Sequence, residues 1–178
     1  MSSSSSSQNA ILVLGTTGVG KSSLCSYLTN SNHFAISEAT SSCTAKCDHF
    51  FSTELGVHVV DTPGLRDTRQ TNPPSGSTMR FDRNSLTAEI LSYCKQHSFN
   101  IRLVILLIDV LPRCRLDEDV NFLITTITGL ASETDSRILM ACSNRETPSR
   151  VTRMYPAYPC VQLDWNDTIG GYTFDKTI

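Results

Sequence analysis

Near the start of this 178-residue chain an apolar run, Ala10 to Leu14, leads straight into Gly15-Thr16-Thr17-Gly18-Val19-Gly20-Lys21-Ser22-Ser23. Gly15 to Ser22 fits G-x-x-x-x-G-K-[ST] at every fixed position, a coincidence expected in under about one in a hundred chains of this length. Glycines at those places let the backbone curl so that successive N–H groups face inward as an anion nest, and a helix behind them adds the positive end of its dipole. Lys21 then reaches β- and γ-phosphate oxygens, and the Ser22 hydroxyl offers a ligand to Mg²⁺. Gly15, Thr16, Thr17, Gly18, Val19, Gly20, Lys21, Ser22 and Ser23 are the candidate phosphate-binding residues of this segment.

A second constellation completes the first. Val57-His58-Val59-Val60-Asp61-Thr62-Pro63-Gly64 is a strand that ends in an acid and a turn, so Asp61 falls at the carboxyl end of the strand, where ligands bind in open α/β sheets. Asp61 is the candidate second metal carboxylate, acting through water, and Gly64 can offer its N–H to a γ-phosphate.

The elements that must carry these residues follow from periodicity. Ala10 to Leu14 is an unbroken apolar strand, and a helix begins near Lys21, with Leu24 and Leu28 one turn apart and Asn30 near its end. Two strand-like pieces, CDHFFS and VHVVD, flank a turn at Glu54-Leu55-Gly56 and predict a β-hairpin. Arg66 to Arg80 is a Thr, Pro, Ser and Gly-rich loop. A helix from Asp82 to about His97, a buried strand at Leu103 to Ile108, a helix from Asp117 to Leu130, a strand at Arg137 to Cys142 and a last one at Cys160 to Leu163 follow. Alternating strands and helices predict a three-layer α/β/α domain around a mostly parallel sheet, the hairpin supplying one antiparallel edge strand.

Bulk properties confine the chemistry to that local site. A formal net charge of −2 and the absence of like-charge blocks argue against a nucleic-acid surface or a polybasic membrane anchor. The longest apolar stretch is about half the roughly 20 residues a spanning helix needs, so no intrinsic membrane segment is expected. Residues 1–9 form a Ser-rich tail without signal-peptide features, expected to be disordered, and residues 10–178 one domain. Seven scattered cysteines without a secretory signal favour reduced thiols in the cytoplasm. Cys43, Cys47 and His49 are the one cluster with metal-ligand character. Structural zinc needs four ligands, so small side chains on a strand and its approach are the preferred reading.

At these residues the chain resembles a known family. Gly15 to Ser22 with Asp61-Thr62-Pro63-Gly64-Leu65 looks like two signature boxes of P-loop GTPases, and the finer pattern resembles the septin-related branch that holds the immunity-associated (GIMAP, AIG-type) GTPases and the Toc GTPases of chloroplast import. Ala39 to Cys47 is similar to that family's Ser/Thr-rich switch segment. The resemblance implies GTP or GDP with Mg²⁺ as cofactors and a switch role for Thr44, its hydroxyl on the metal and its N–H on the γ-phosphate. Lys21, Thr44 and Gly64 then become the catalytic contacts, and Ser22, Thr44 and Asp61 the metal ligands.

Two departures bear on selectivity and rate. The family's base-reading box corresponds to Asn144-Arg145-Glu146-Thr147, where Asn144 and Arg145 fit but Thr147 stands in place of an aspartate; a hydroxyl accepts more weakly than a carboxylate, and Glu146 is the nearest substitute. Trp165 and Asn166 look like the last box, which packs on the base, with plain packing as the competing role of Trp165. Leu65 occupies the place of the water-orienting glutamine of Ras-like proteins, so turnover is expected to be slow unless a group is donated across a GTP-dependent homodimer, with Arg66, Arg69 and His97 as candidate donors. The closing amphipathic helix of this fold is missing by position 178, which marks the carboxyl-terminal part as divergent or shortened. A nucleotide-gated dimerising scaffold and an ATP-binding P-loop protein are the alternatives.

Overall fold

In the computed structural model, residues 7–34, 46–64, 83–108, 137–142, 147–166 and 171–173 are described. Six strands form one sheet: β1 (Gln8–Gly15), β2 (Asp48–Ser52), β3 (Val57–Asp61), β4 (Phe99–Ile108), β5 (Arg137–Cys142) and β6 (Cys160–Gln162). They run in the order β2-β3-β1-β4-β5-β6, and every neighbouring pair is parallel except β2 with β3. The chain is thus a P-loop NTPase-type α/β fold with one antiparallel edge strand, as its strand and helix alternation predicts.

The sheet's side chains alternate between two cores, as the period of two in a strand requires. On one face Leu12, Leu14, Val60, Val104, Leu106 and Met140 pack against Leu86, Ile90 and Cys94 of α2 (Arg83–Gln96) and Val151 of α3 (Thr147–Met154). On the other, Val13, Val59, Ile105, Leu107 and Ala141 pack against Leu24 and Cys25 of α1 (Lys21–Thr29), with Phe34 and Leu163. Both faces being covered explains why β1 and the second half of β4 are unbroken apolar runs.

The hairpin forms where expected. Gly56 takes φ 66 at its turn and donates its N–H to the Ser52 carbonyl at 2.9 Å. Buried Ser52 donates to the Leu28 carbonyl at 2.8 Å, which ties the hairpin to α1. α1 stops at Asn30, whose left-handed backbone returns its N–H to the Ser26 and Tyr27 carbonyls.

Three features differ from the sequence-based expectation. β1 starts at Gln8 and β4 at Phe99, so Gln8 and Asn9, assigned by composition to the polar tail, join the sheet; Asn100 Nδ2 donates to Asn9 Oδ1 at 3.3 Å where apolar pairing ends. A short helix, α3, begins at Thr147, between two expected strands where the sequence reading places no element. A second, two-stranded antiparallel sheet pairs β7 (Asp164–Asn166) with β8 (Gly171–Thr173). The expected tail residues 1–6, the loop Arg66 to Arg80, the cap Asp82, and the helix Asp117 to Leu130 lie outside the described residues.

Candidate functional site

The phosphate loop hangs between β1 and α1. Gly15 ends β1 so close to β4 that a Cβ there would stand 2.6 Å from the Leu107 carbonyl oxygen and 2.9 Å from Val19 Cγ1, which admits no side chain. Gly18 at φ 80 and Gly20 at φ 93 then turn the backbone through the left-handed region, and Gly20 caps α1 without a side-chain hydrogen bond. Val19 is buried and plugs the loop into the core beneath α1. The Leu24 N–H bonds back to the Gly20 carbonyl at 3.0 Å, so α1 opens toward the loop and directs its first N–H groups there.

Lys21 sits in the first turn of α1 and is 94% out of solvent at 6% exposure, a rare burial for lysine. Its Nζ donates to the Thr16 carbonyl at 2.9 Å, spanning the loop from within. The ammonium is therefore held at the nest rather than in solvent.

The end of β3 is pinned beside the loop. Thr62 is fully buried and its Oγ1 donates to the Val13 carbonyl at 2.8 Å. Asp61 is 2% exposed, and its Oδ2 accepts a 2.6 Å hydrogen bond from Ser22 Oγ. Gly64 lies directly on Thr17: a Cβ on Gly64 would reach the Thr17 Oγ1, and would stand 2.6 Å from its Cα and 2.7 Å from its N. Glycine is the one residue that this approach permits.

Cys25, one turn beyond Ser22, also faces Asp61. Burial pushes its thiol well above the usual value, and the Asp61 charge pushes it further, against a smaller opposing effect of Lys21. It serves as a protonated donor to the carboxylate, not as a nucleophile.

The structure thus brings Gly15, Thr16, Thr17, Gly18, Val19, Gly20, Lys21, Ser22, Asp61 and Gly64 to one end of the sheet, with Ser23 following on α1. Thr44, Leu65, Arg66, Arg69, Asn144, Arg145 and Glu146 lie outside the described residues. Thr147 is the first residue of α3, and Trp165 and Asn166 lie in β7, in register with Tyr172 and Gly171. His97, the candidate donor across a homodimer, sits just before β4, at the opposite end of the strands from its own chain's phosphate loop, stacked on Phe99 at 5.5 Å and beside Tyr93 at 4.5 Å. Its ring belongs to an aromatic cluster with His49 and His58. Cys47 is buried in the core against which Tyr93 and Phe99 pack, the same rings that His49 touches, and among the described residues no group of three metal-ligating side chains gathers.

The sheet and loop are similar to solved GTPase structures. Era from Aquifex aeolicus, bound to GDP and AlF4⁻, matches with TM-score 0.53 and 15% identity over 88% of this chain and 51% of that one. Toc33 from Arabidopsis thaliana, in a dimerization-deficient mutant form, matches with TM-score 0.53 and 18% identity over 88% of this chain and 71% of that one. This chain spans about half the length of the Era chain. No relative was found among curated proteins. The family model for 50S ribosome-binding GTPases matches residues 10–144, from the start of the apolar core of β1 to just beyond β5, and the chain belongs to that GTPase family.

Proposed function

We propose that this chain binds GTP with Mg²⁺ on the loop Gly15 to Ser22, hydrolyses it slowly and uses the bound nucleotide as a switch. The observation that carries the reading is the 2.6 Å hydrogen bond between Ser22 Oγ and Asp61 Oδ2 at the mouth of a glycine nest. These are two hard oxygen donors from different elements, of the kind Mg²⁺ takes alongside phosphates, so they fit the metal. Magnesium held there would neutralise charge on the β- and γ-phosphates.

The protein's own residues supply the rest. The loop's N–H groups and the start of α1 bind the phosphates, and Lys21 brings a buried positive charge to oxygens whose negative charge grows in the transition state. Lys21 then exchanges its Thr16 carbonyl for phosphate oxygen. Gly64 and Thr44 flank the γ-phosphate in the proposed arrangement and couple its presence to the segments around them. Asn144, Arg145, Trp165 and Asn166 are assigned to the guanine base, following the resemblance to the immunity-associated and Toc GTPases. Leu65 cannot orient a water molecule, so hydrolysis is slow.

Competition of a labelled GTP analogue by GTP, GDP and ATP, with Lys21→Ala as control, tests the assignment. Displacement by GTP and GDP alone supports it; equal displacement by ATP overturns the guanine reading. A second reading, a scaffold that assembles as a homodimer in the GTP state without useful turnover, is favoured by Leu65 and by the likeness to Toc33, a protein described through its dimerization. Single-turnover hydrolysis above the buffer rate, with unchanged molecular mass in GDP and in a non-hydrolysable GTP analogue, excludes it.

A further inference from the structure

Cys142 and Cys160 place their sulfurs 3.4 Å apart, between the end of β5 and the start of β6. Met140 is the register partner of Cys160, so Cys142 stands two residues further along β5 on the same face and reaches diagonally across the strand pair. A disulfide requires about 2.05 Å between sulfurs. Rotation of the two side chains can close that gap, and β6, a three-residue strand at the edge of the described sheet, is held on one side only and can follow.

Exposure singles out this pair. Among the described cysteines Cys25, Cys47, Cys94 and Cys142 are buried, and Cys160 alone is partly exposed. Burial pushes the thiols of Cys47 and Cys94 up to about 12 and about 11, so neither offers thiolate to a reagent. Burial, and then the neighbouring Cys160, also raises Cys142, so the partly exposed Cys160 is the member of the pair that meets a reagent first.

We propose that Cys142 and Cys160 are a reversible thiol–disulfide modification site that staples β6 to β5, with a low-molecular-weight disulfide such as glutathione disulfide as oxidant. The Cys160 thiolate attacks one sulfur of glutathione disulfide; a mixed disulfide forms and one glutathione leaves as thiolate, taking the proton that Cys160 released. Cys142 Sγ then attacks Cys160 Sγ. The Cys142–Cys160 bond forms, the bond from Cys160 to glutathione breaks, and the second glutathione leaves with the Cys142 proton. Two protein thiols are oxidised and one glutathione disulfide is reduced to two thiols. The closed loop contains α3, so the bridge restrains the crossover as well as the edge strand. Excess reduced glutathione reopens the bridge by the reverse exchange.

The whole chain is incubated with glutathione disulfide, digested with trypsin without reduction and analysed by mass spectrometry, alongside thermal melting. Residues 138–145 carry only Cys142 and residues 154–176 only Cys160, so a covalent link between these two peptides reports the bridge directly. The expected result is that link as the main product, a melting temperature raised by roughly 5 °C, and loss of both on reduction. Cys160→Ala removes link and shift together. Cys142→Ser stops at one glutathione per chain on Cys160. If Cys142→Ser fails to fold, the Cys160→Ala comparison decides alone. A wild-type product that retains glutathione on Cys160, that links other cysteines, or that shows no reaction overturns the proposal.

Discussion

Ser22 and Asp61 are joined by a 2.6 Å hydrogen bond across a sequence separation of 39 residues, linking the first turn of α1 to the last residue of β3. Such a short contact between a hydroxyl and a buried carboxylate is charge-assisted and fixes both oxygens before any ligand arrives. Preorganised donors do not have to be ordered on binding.

Ser22→Ala should therefore weaken nucleotide binding through the metal. We expect a loss of about tenfold to a hundredfold in affinity for a fluorescent GTP analogue in Mg²⁺, the size of one hydrogen bond to a charged group. The loss should vanish when Mg²⁺ is chelated, measured by fluorescence titration. An equal loss with and without the metal would remove Ser22 from its coordination.

Gly15 and Gly64 are both crowded, but against different things. A Cβ on Gly15 meets the Leu107 carbonyl within the sheet, so Gly15→Ala should cost roughly 1–3 kcal/mol of stability, read as a lower urea midpoint. A Cβ on Gly64 meets the Thr17 backbone in the phosphate loop, 2.6 Å from its Cα and 2.7 Å from its N, so the loop itself must move to admit it. Gly64→Ala should likewise cost roughly 1–3 kcal/mol, read as a lower midpoint, and should in addition lower GTP-analogue affinity severalfold, because the backbone it displaces belongs to the phosphate loop. An unchanged midpoint in either variant would contradict the packing described.

The site was legible where chemistry restricts residue type. Gly15 to Ser22 and Asp61 to Gly64 can be recognised because backbone geometry and oxygen ligation leave few substitutes, and the hairpin because Gly56 marks its turn. α3 escaped notice because it buries one core side chain, Val151, and has no apolar stripe; its signals were Thr147-Pro148 as a helix start and Arg153 in the last turn. The β7–β8 pair is not legible in the sequence because three-residue strands are too short for a period. Gln8 and Asn9 were misassigned because backbone pairing to β4 needs no apolar side chain.

All four histidines lie around the hairpin and the end of α2, and two of them, His49 and His58, make stability fall in mildly acidic solution. His49 is lowered below its ordinary value by burial first, then by His97 and His58, with Asp48 opposing; His58 is lowered by burial and then His97. Tyr93 Oη is 2.7 Å from His49 Nδ1, Phe99 packs on the same rings, and His33 pairs with Asp48 at 3.0 Å. A depressed histidine favours the neutral form when folded, so the unfolded chain binds more protons: stability is retained above about pH 6.5 and falls as pH drops through the folded value. The urea midpoint should decline from pH 7.5 to pH 5.5, and His49→Gln should decline less. An identical decline in both would exclude His49 as a source.

Thr147 opens α3, where a carboxylate meets the positive end of the helix dipole. Thr147→Asp therefore introduces the acid of the family's base-reading box at a place that favours negative charge. We expect no loss of stability, and a gain of roughly 0.3–1 kcal/mol from the helix terminus. An ionised acceptor also bonds the guanine N1 and N2 donors more strongly than a hydroxyl does, so preference for GTP over ATP should rise about tenfold. Competition binding on the wild type and variant measures the ratio, and thermal melting the stability. A stabilised variant with an unchanged ratio would place Thr147 outside the base pocket while leaving the helix start intact.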